Sequence, residues 1–188
     1  MRRSPRGLFI RKLCERLLEK HQVETAPVPV EALAREEGLE VHSDPQLHES
    51  LNGFLHRPDD DTPVVILQGA EGETLKRRFT LACQLGHYLL HHGESYLSER
   101  QEGITFARLG NRGSADVERI EAYRFAQEIL MPQELVERAF NGLPRVLDEE
   151  IPRLLASEFE VGEGAMKLRL LSLGYADVGC LYDAPRPK

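Results

Sequence analysis

The chain reads as an α+β fold: a small, mostly antiparallel sheet against one long helix, completed by a helical C-terminal part. Three observations predict it. Short β-type runs cluster between residues 39 and 67, a strongly periodic helical pattern covers 75 to 92, and helical patterns follow one another from 116 onward. With 188 residues, 41% of them hydrophobic, there is material for one compact core plus a small helical appendage. The expected organisation is an N-terminal helix over 1–25, an α+β domain over 26–140, and a helical extension over 141–188 packed on the same core.

The elements follow in order. Leu8, Ile10, Leu13, Leu17 and Leu18 recur at helical spacing and predict a packed first helix with a basic outer face. Ala26-Pro-Val-Pro29 breaks the chain, and Val30 to Glu37 restarts it as a short helix closed by Gly38, the residue suited to a left-handed cap. Strands are expected at Leu39–His42, Asn52–His56 and Val64–Leu67, the last an unbroken apolar run that suggests cover on both faces. Pro58 to Pro63 has the composition of a hairpin loop. In the helix Leu75–His92, the residues Phe79, Cys83, His87 and Leu90 share a face that should look inward. Gly93 to Ser114 reads as a polar connection. Helices are expected at Asp116–Leu130, stopped by Met131-Pro132, then at Gln133–Phe140, Asp148–Phe159 and Gly164–Leu173, before a Pro-rich tail from Asp183 that should fray.

Composition narrows the function. A formal net charge of -7, from 31 acidic and 24 basic residues, argues against a general affinity for nucleic acid and for a protein or small-molecule partner. Cys14, Cys83 and Cys180 are odd in number and far apart, which fits a reducing compartment, so the cytoplasm is the expected location. Charges interrupt the first 20 residues, so neither a signal-peptide core nor a membrane span is expected. His21, His42, His48 and His56 lack ligand spacing and are expected at the surface.

Residues 79 to 92 carry the chemistry. Phe-Thr-Leu-Ala-Cys-Gln-Leu-Gly-His-Tyr-Leu-Leu-His-His has the frame of a zinc-peptidase helix, in which two His four residues apart bind the metal and the Glu between them is the general base. Here Cys83 and Gln84 stand where that motif has His and Glu, and His87 keeps the second ligand. A thiolate can bind zinc, so Cys83 alone does not exclude it. An amide cannot accept a proton near neutral pH, and general-base catalysis contributes about 10² to 10⁴ in rate.

Four stretches in order, Val28–Val41, Arg78–His91, Ala122–Pro132 and Leu155–Gly174, resemble the ImmA/IrrE family of metallopeptidases. The resemblance implies a zincin-like domain, a helix-turn-helix-like C-terminal part, a role in stress response, and zinc-dependent cleavage of a helix-turn-helix repressor. It puts the first ligand on Cys83, the base on Gln84, the second ligand on His87 and the third on Arg119, with Tyr123 at the following Asn or Asp position. A cation at 119 opposes a divalent ion: at 4 Å and an effective dielectric of about 20 the cost is on the order of several kcal/mol. Were zinc kept, Cys83, His87 and either Glu118 or Glu121 would be the set; Glu121 lies about 200° around the helix from Arg119.

The expected function is therefore that of a catalytically impaired peptidase, without a cofactor, regulating by binding a protein partner of the helix-turn-helix repressor type. The alternatives are an active zinc endopeptidase with a Cys-His-carboxylate site, and a DNA-associated regulator reading through residues 151 to 173. Against the second stands the charge of the region from 144 to 188, where six basic residues face eight acidic ones. His91 and His92 are expected to pack at the helix end or to complement its dipole.

Overall fold

Gly38 lies at φ +92°, where a β-carbon would be strained, and ends the second helix as its position after Glu37 predicts. The computed structural model describes residues 6–48, 51–58, 62–69, 75–91, 96–99, 114–144 and 150–175. The elements are α1 (Gly7–Lys20), α2 (Val30–Glu36), β1 (Glu40–Asp44), β2 (Leu51–His56), β3 (Val64–Gln68), α3 (Leu75–Leu90), β4 (Tyr96–Glu99), α4 (Ser114–Leu130), α5 (Gln133–Gly142), α6 (Ile151–Glu158) and α7 (Glu163–Ser172).

The four strands lie in the order β1-β3-β2-β4, with β1 parallel to β3 and the other two pairings antiparallel. This is the mostly antiparallel sheet expected. The strand β4 corrects the sequence reading, in which Gly93 to Ser114 was a connection: four residues of that stretch pair with β2 across an irregular register at Leu51 and Gly53. Four residues with two polar members make no periodic signal, and only the waiting edge of β2 recruits them. The run at β3 is also less enclosed than expected. Val65 and Leu67 are buried toward the core while Val64 and Ile66 are half-buried on the other face.

One apolar cluster joins residues from every described helix and from β1, β2 and β3, including Ile10, Leu33, Leu55, Leu67, Leu81, Leu85, Phe125, Ile129, Leu155 and Met166. α3 lies between the sheet and α4, and α1 packs along α4. The deepest face of α3 carries Leu81, Ala82 and Leu85, while Phe79 and Cys83 are half-buried, so the face expected to look fully inward is turned partly toward the α4 side. No helix among the described residues is long and apolar enough to cross a membrane. His21 departs from expectation: its side chain is buried against Glu36 and Glu37 because α2 folds back beside the end of α1. The predicted turn residues 59–61, His92 and the tail from Asp183 lie outside the described residues.

Candidate functional site

Gly86 decides how closely the two site helices meet. A β-carbon there would stand 3.0 Å from Phe125, so the Leu-Gly-His step lets α3 press directly onto α4. The two helices run so that Phe79 meets Tyr123, with ring centroids 4.9 Å apart, and His91 meets Glu121. Across this seam the Arg119 charge bears on His87, and Cys83 neighbours Tyr123.

Each side chain has a distinct state. Cys83 is half-buried, and desolvation pushes its thiol up to about 12, so the free group is a thiol at neutral pH. Gln84 is 1% exposed, and its Oε1 accepts no hydrogen bond from a described residue. His87 is buried and driven down to about 3 by desolvation, with further lowering from His91, Arg119 and Arg57. It is neutral across the physiological range. Tyr123 is held above the ordinary phenol value by burial and then by neighbouring Cys83. The Arg119 side chain is exposed yet near enough for its charge to bear on His87.

Two residues that motif reading missed fix the end of α3. Arg57, just past β2, donates from Nη2 to the carbonyls of His87, Tyr88 and His91 at 3.0, 2.8 and 2.7 Å, and its guanidinium lies 5.0 Å from the Tyr88 ring centroid. It caps the carbonyl end of α3 at the negative end of the dipole, adding to the bond that the His91 N–H already gives the His87 carbonyl at 3.1 Å. Arg6 clamps Glu121: its backbone N–H and Nε donate to Oε1 at 2.9 and 3.1 Å and Nη2 donates to Oε2 at 2.7 Å, while Nη2 also reaches the Leu90 carbonyl at 3.3 Å. Burial alone would raise Glu121, but these bonds hold it below the usual carboxylate range. His91 sits 5.6 Å from the His87 ring and 3.6 Å from Glu121 Oε2, and burial lowers it while Glu118 and Glu121 oppose the shift. The helix-end role expected for His91 agrees with this placement.

The residues do not fit a zinc ion well. Cys83 and His87 supply two donors on adjacent turns of α3, but Arg119 places positive charge on the side where a third anionic ligand would act. Glu121 points to Arg6 and His91, and Glu118 bears on His91. Among the described residues no group of three His, Cys, Asp or Glu is arranged to hold a metal.

With this helix pair in place, the sequence profile of the IrrE N-terminal-like domain matches residues 34–171, more than two thirds of the chain. The chain belongs to the IrrE N-terminal-like domain family. A solved structure of a Mycobacterium tuberculosis transcriptional regulator is similar over 90% of this chain and 48% of its own, with a TM-score of 0.60 and 18% sequence identity. At that identity the likeness shows the fold, and the chain spans about half the regulator's length. No curated protein matches in sequence.

The C-terminal helices of this IrrE-type chain carry three cations, Arg153, Lys167 and Arg169. Arg169 is buried, donating from Nε to the Met131 carbonyl at 2.9 Å and from Nη2 to Glu128 at 2.6 Å. Lys167 pairs with Glu163 at 2.6 Å on the same helix. Of the three basic residues of the helix-turn-helix-like element, Arg169 is thus engaged in the core and Lys167 on its own helix, while Arg153 is exposed and pairs with Glu150 at 3.5 Å.

Proposed function

We propose that the chain is a catalytically impaired member of the IrrE-type family that regulates by binding a protein partner rather than cutting it, with a helix-turn-helix repressor as the partner class. The observation that carries the reading is Gln84. It occupies the general-base position, is 1% exposed, and offers an amide where the chemistry needs a basic carboxylate. Arg119 beside His87 and the clamp of Arg6 on Glu121 add to it, since each removes negative charge from the place where a metal would need it.

Restoration tests the proposal. The triple variant Cys83→His, Gln84→Glu and Arg119→Glu should gain about one zinc per chain by metal analysis, while the native chain stays metal-poor. Chelator-sensitive hydrolysis of a polypeptide by the native chain would overturn the reading. A second reading, an active zinc endopeptidase with a Cys-His-carboxylate site, has one observation in its favour: Cys83 and a neutral His87 lie one turn apart on α3. It requires stoichiometric zinc in the native protein that Cys83→Ala removes.

A further inference from the structure

A groove of about 730 Å³ runs between the second half of α1 and the junction of α4 with α5, and none of its lining residues belongs to the Cys83–His87 centre. It is built from helical spacing. Arg11, Glu15, Leu18 and Glu19 lie at helical spacing along α1 and present one stripe to it, which Gln22 continues just past the helix end. Pro132 ends α4 and starts α5 in a new direction, so the helices diverge there and leave the gap unfilled.

Leu18, Val23, Pro132 and Leu135 give the inner surface an apolar strip among polar groups, and the rim is acidic. Glu15, Glu19 and Glu134 are exposed around the opening, against Arg11 on the same edge. Glu128, at the back, is already paired with Arg169. Arg138 donates to the Glu24 carbonyl at 3.3 Å, bridging α5 to the segment after α1. The groove therefore combines an apolar strip with carboxylates placed to meet cations at its edge, a pattern that accepts one face of an amphipathic helix.

We infer that this groove docks a basic, amphipathic helical segment of a partner protein, its apolar side on Leu18 and Leu135 and its Lys or Arg side chains on Glu15, Glu19 and Glu134. The inference rests on the reading of the chain as a protein-binding regulator and names where and by what chemistry the partner is held. Charge complementarity selects the occupant: five glutamates against two arginines line the groove, which opposes an acidic ligand.

The test uses the full chain and a labelled amphipathic peptide of roughly 16 residues, with Leu on one face and Lys and Arg on the other, beside a scrambled peptide of equal composition. The ordered peptide should bind and the scrambled one should bind at least about tenfold more weakly. Glu15→Lys with Glu19→Lys should weaken binding about tenfold and reduce its salt dependence, and Leu135→Gln should weaken it with the salt dependence unchanged. Glu40→Lys with Glu158→Lys, a matched charge change elsewhere, should leave it unaltered. Equal loss in the control, or equal binding of the scrambled peptide, overturns the groove in favour of diffuse attraction to an acidic protein. Self-association of the native chain that the groove variants abolish overturns it in favour of a second copy. The readout is binding alone, so its failure is distinct from failure of the zinc and turnover tests.

Discussion

The two halves of α4 each hold a glutamate that meets an arginine from a distant part of the chain, and the contrast separates the site from the scaffold. Glu128 and Arg169 form a 2.6 Å pair at 5% and 4% side-chain exposure, with a further bond from Arg169 to Met131. Two turns earlier, Glu121 and Arg6 form a 2.7 Å pair in which Glu121 is 4% exposed and Arg6 is 44% exposed. Both pairs join elements far apart in sequence. Only the first is sealed in the core, where it couples α7 to α4. The second closes the end of the α3–α4 seam beside His91 and leaves its cation in reach of solvent. Desolvated pairs are costly to break and exposed ones contribute little, so the same chemistry should behave as a structural lock at one end of the helix and a weak latch at the other.

The largest effect should come from Arg169→Ala, which leaves Glu128 buried without its cation; a loss of about 3 to 5 kcal/mol is expected in urea denaturation. A loss below about 1 kcal/mol would erase the distinction between the two ends. Next comes proton uptake at His87. Its folded value of about 3 lies below the ordinary 6.5, so the neutral imidazole stabilises the fold above pH 6.5, and that stability is lost as pH falls from 6.5 toward 3. The expected slope approaches about 1.4 kcal/mol per pH unit, and His87→Gln should flatten it in pH-resolved unfolding. An unchanged slope would show that His87 is not the group responsible.

Gly86→Ala probes the seam itself. A β-carbon 3.0 Å from Phe125 forces the helices apart at a destabilisation of about 1 to 3 kcal/mol, read as a lower thermal midpoint. The smallest effect belongs to Glu121→Gln, about 1 kcal/mol or less, because Arg6 is partly solvated and can rehydrate. A cost comparable to Arg169→Ala would make the latch a second lock.

The sequence carried the local content of this picture. Helical spacing located α1, α3 and α4 to within a few residues, and Gly38 marked its cap by being the residue that tolerates positive φ. Counting back from the Phe125-Ala126 pair gave Tyr123 and Arg119 as the expected partners of Cys83 and His87, and the Arg119 charge does bear on His87. The short strand β4 could not be read, since its few residues have no period and take their conformation from an open strand edge. Nor could His21, whose burial depends on α2 returning beside α1.

What the residue order determined by itself is therefore the identity of the elements other than β4 and the amide chemistry at Gln84, because propensity, spacing and side-chain chemistry are properties of neighbours along the chain. Tertiary structure alone decided which arginine meets which glutamate. Arg6 and Glu121 lie 115 residues apart, and Arg169 and Glu128 lie 41 apart. No local pattern links such partners; they meet only because α1 and α3 pack on α4 and α7 joins the same apolar cluster, and it is that burial which sets how much each charge pair matters.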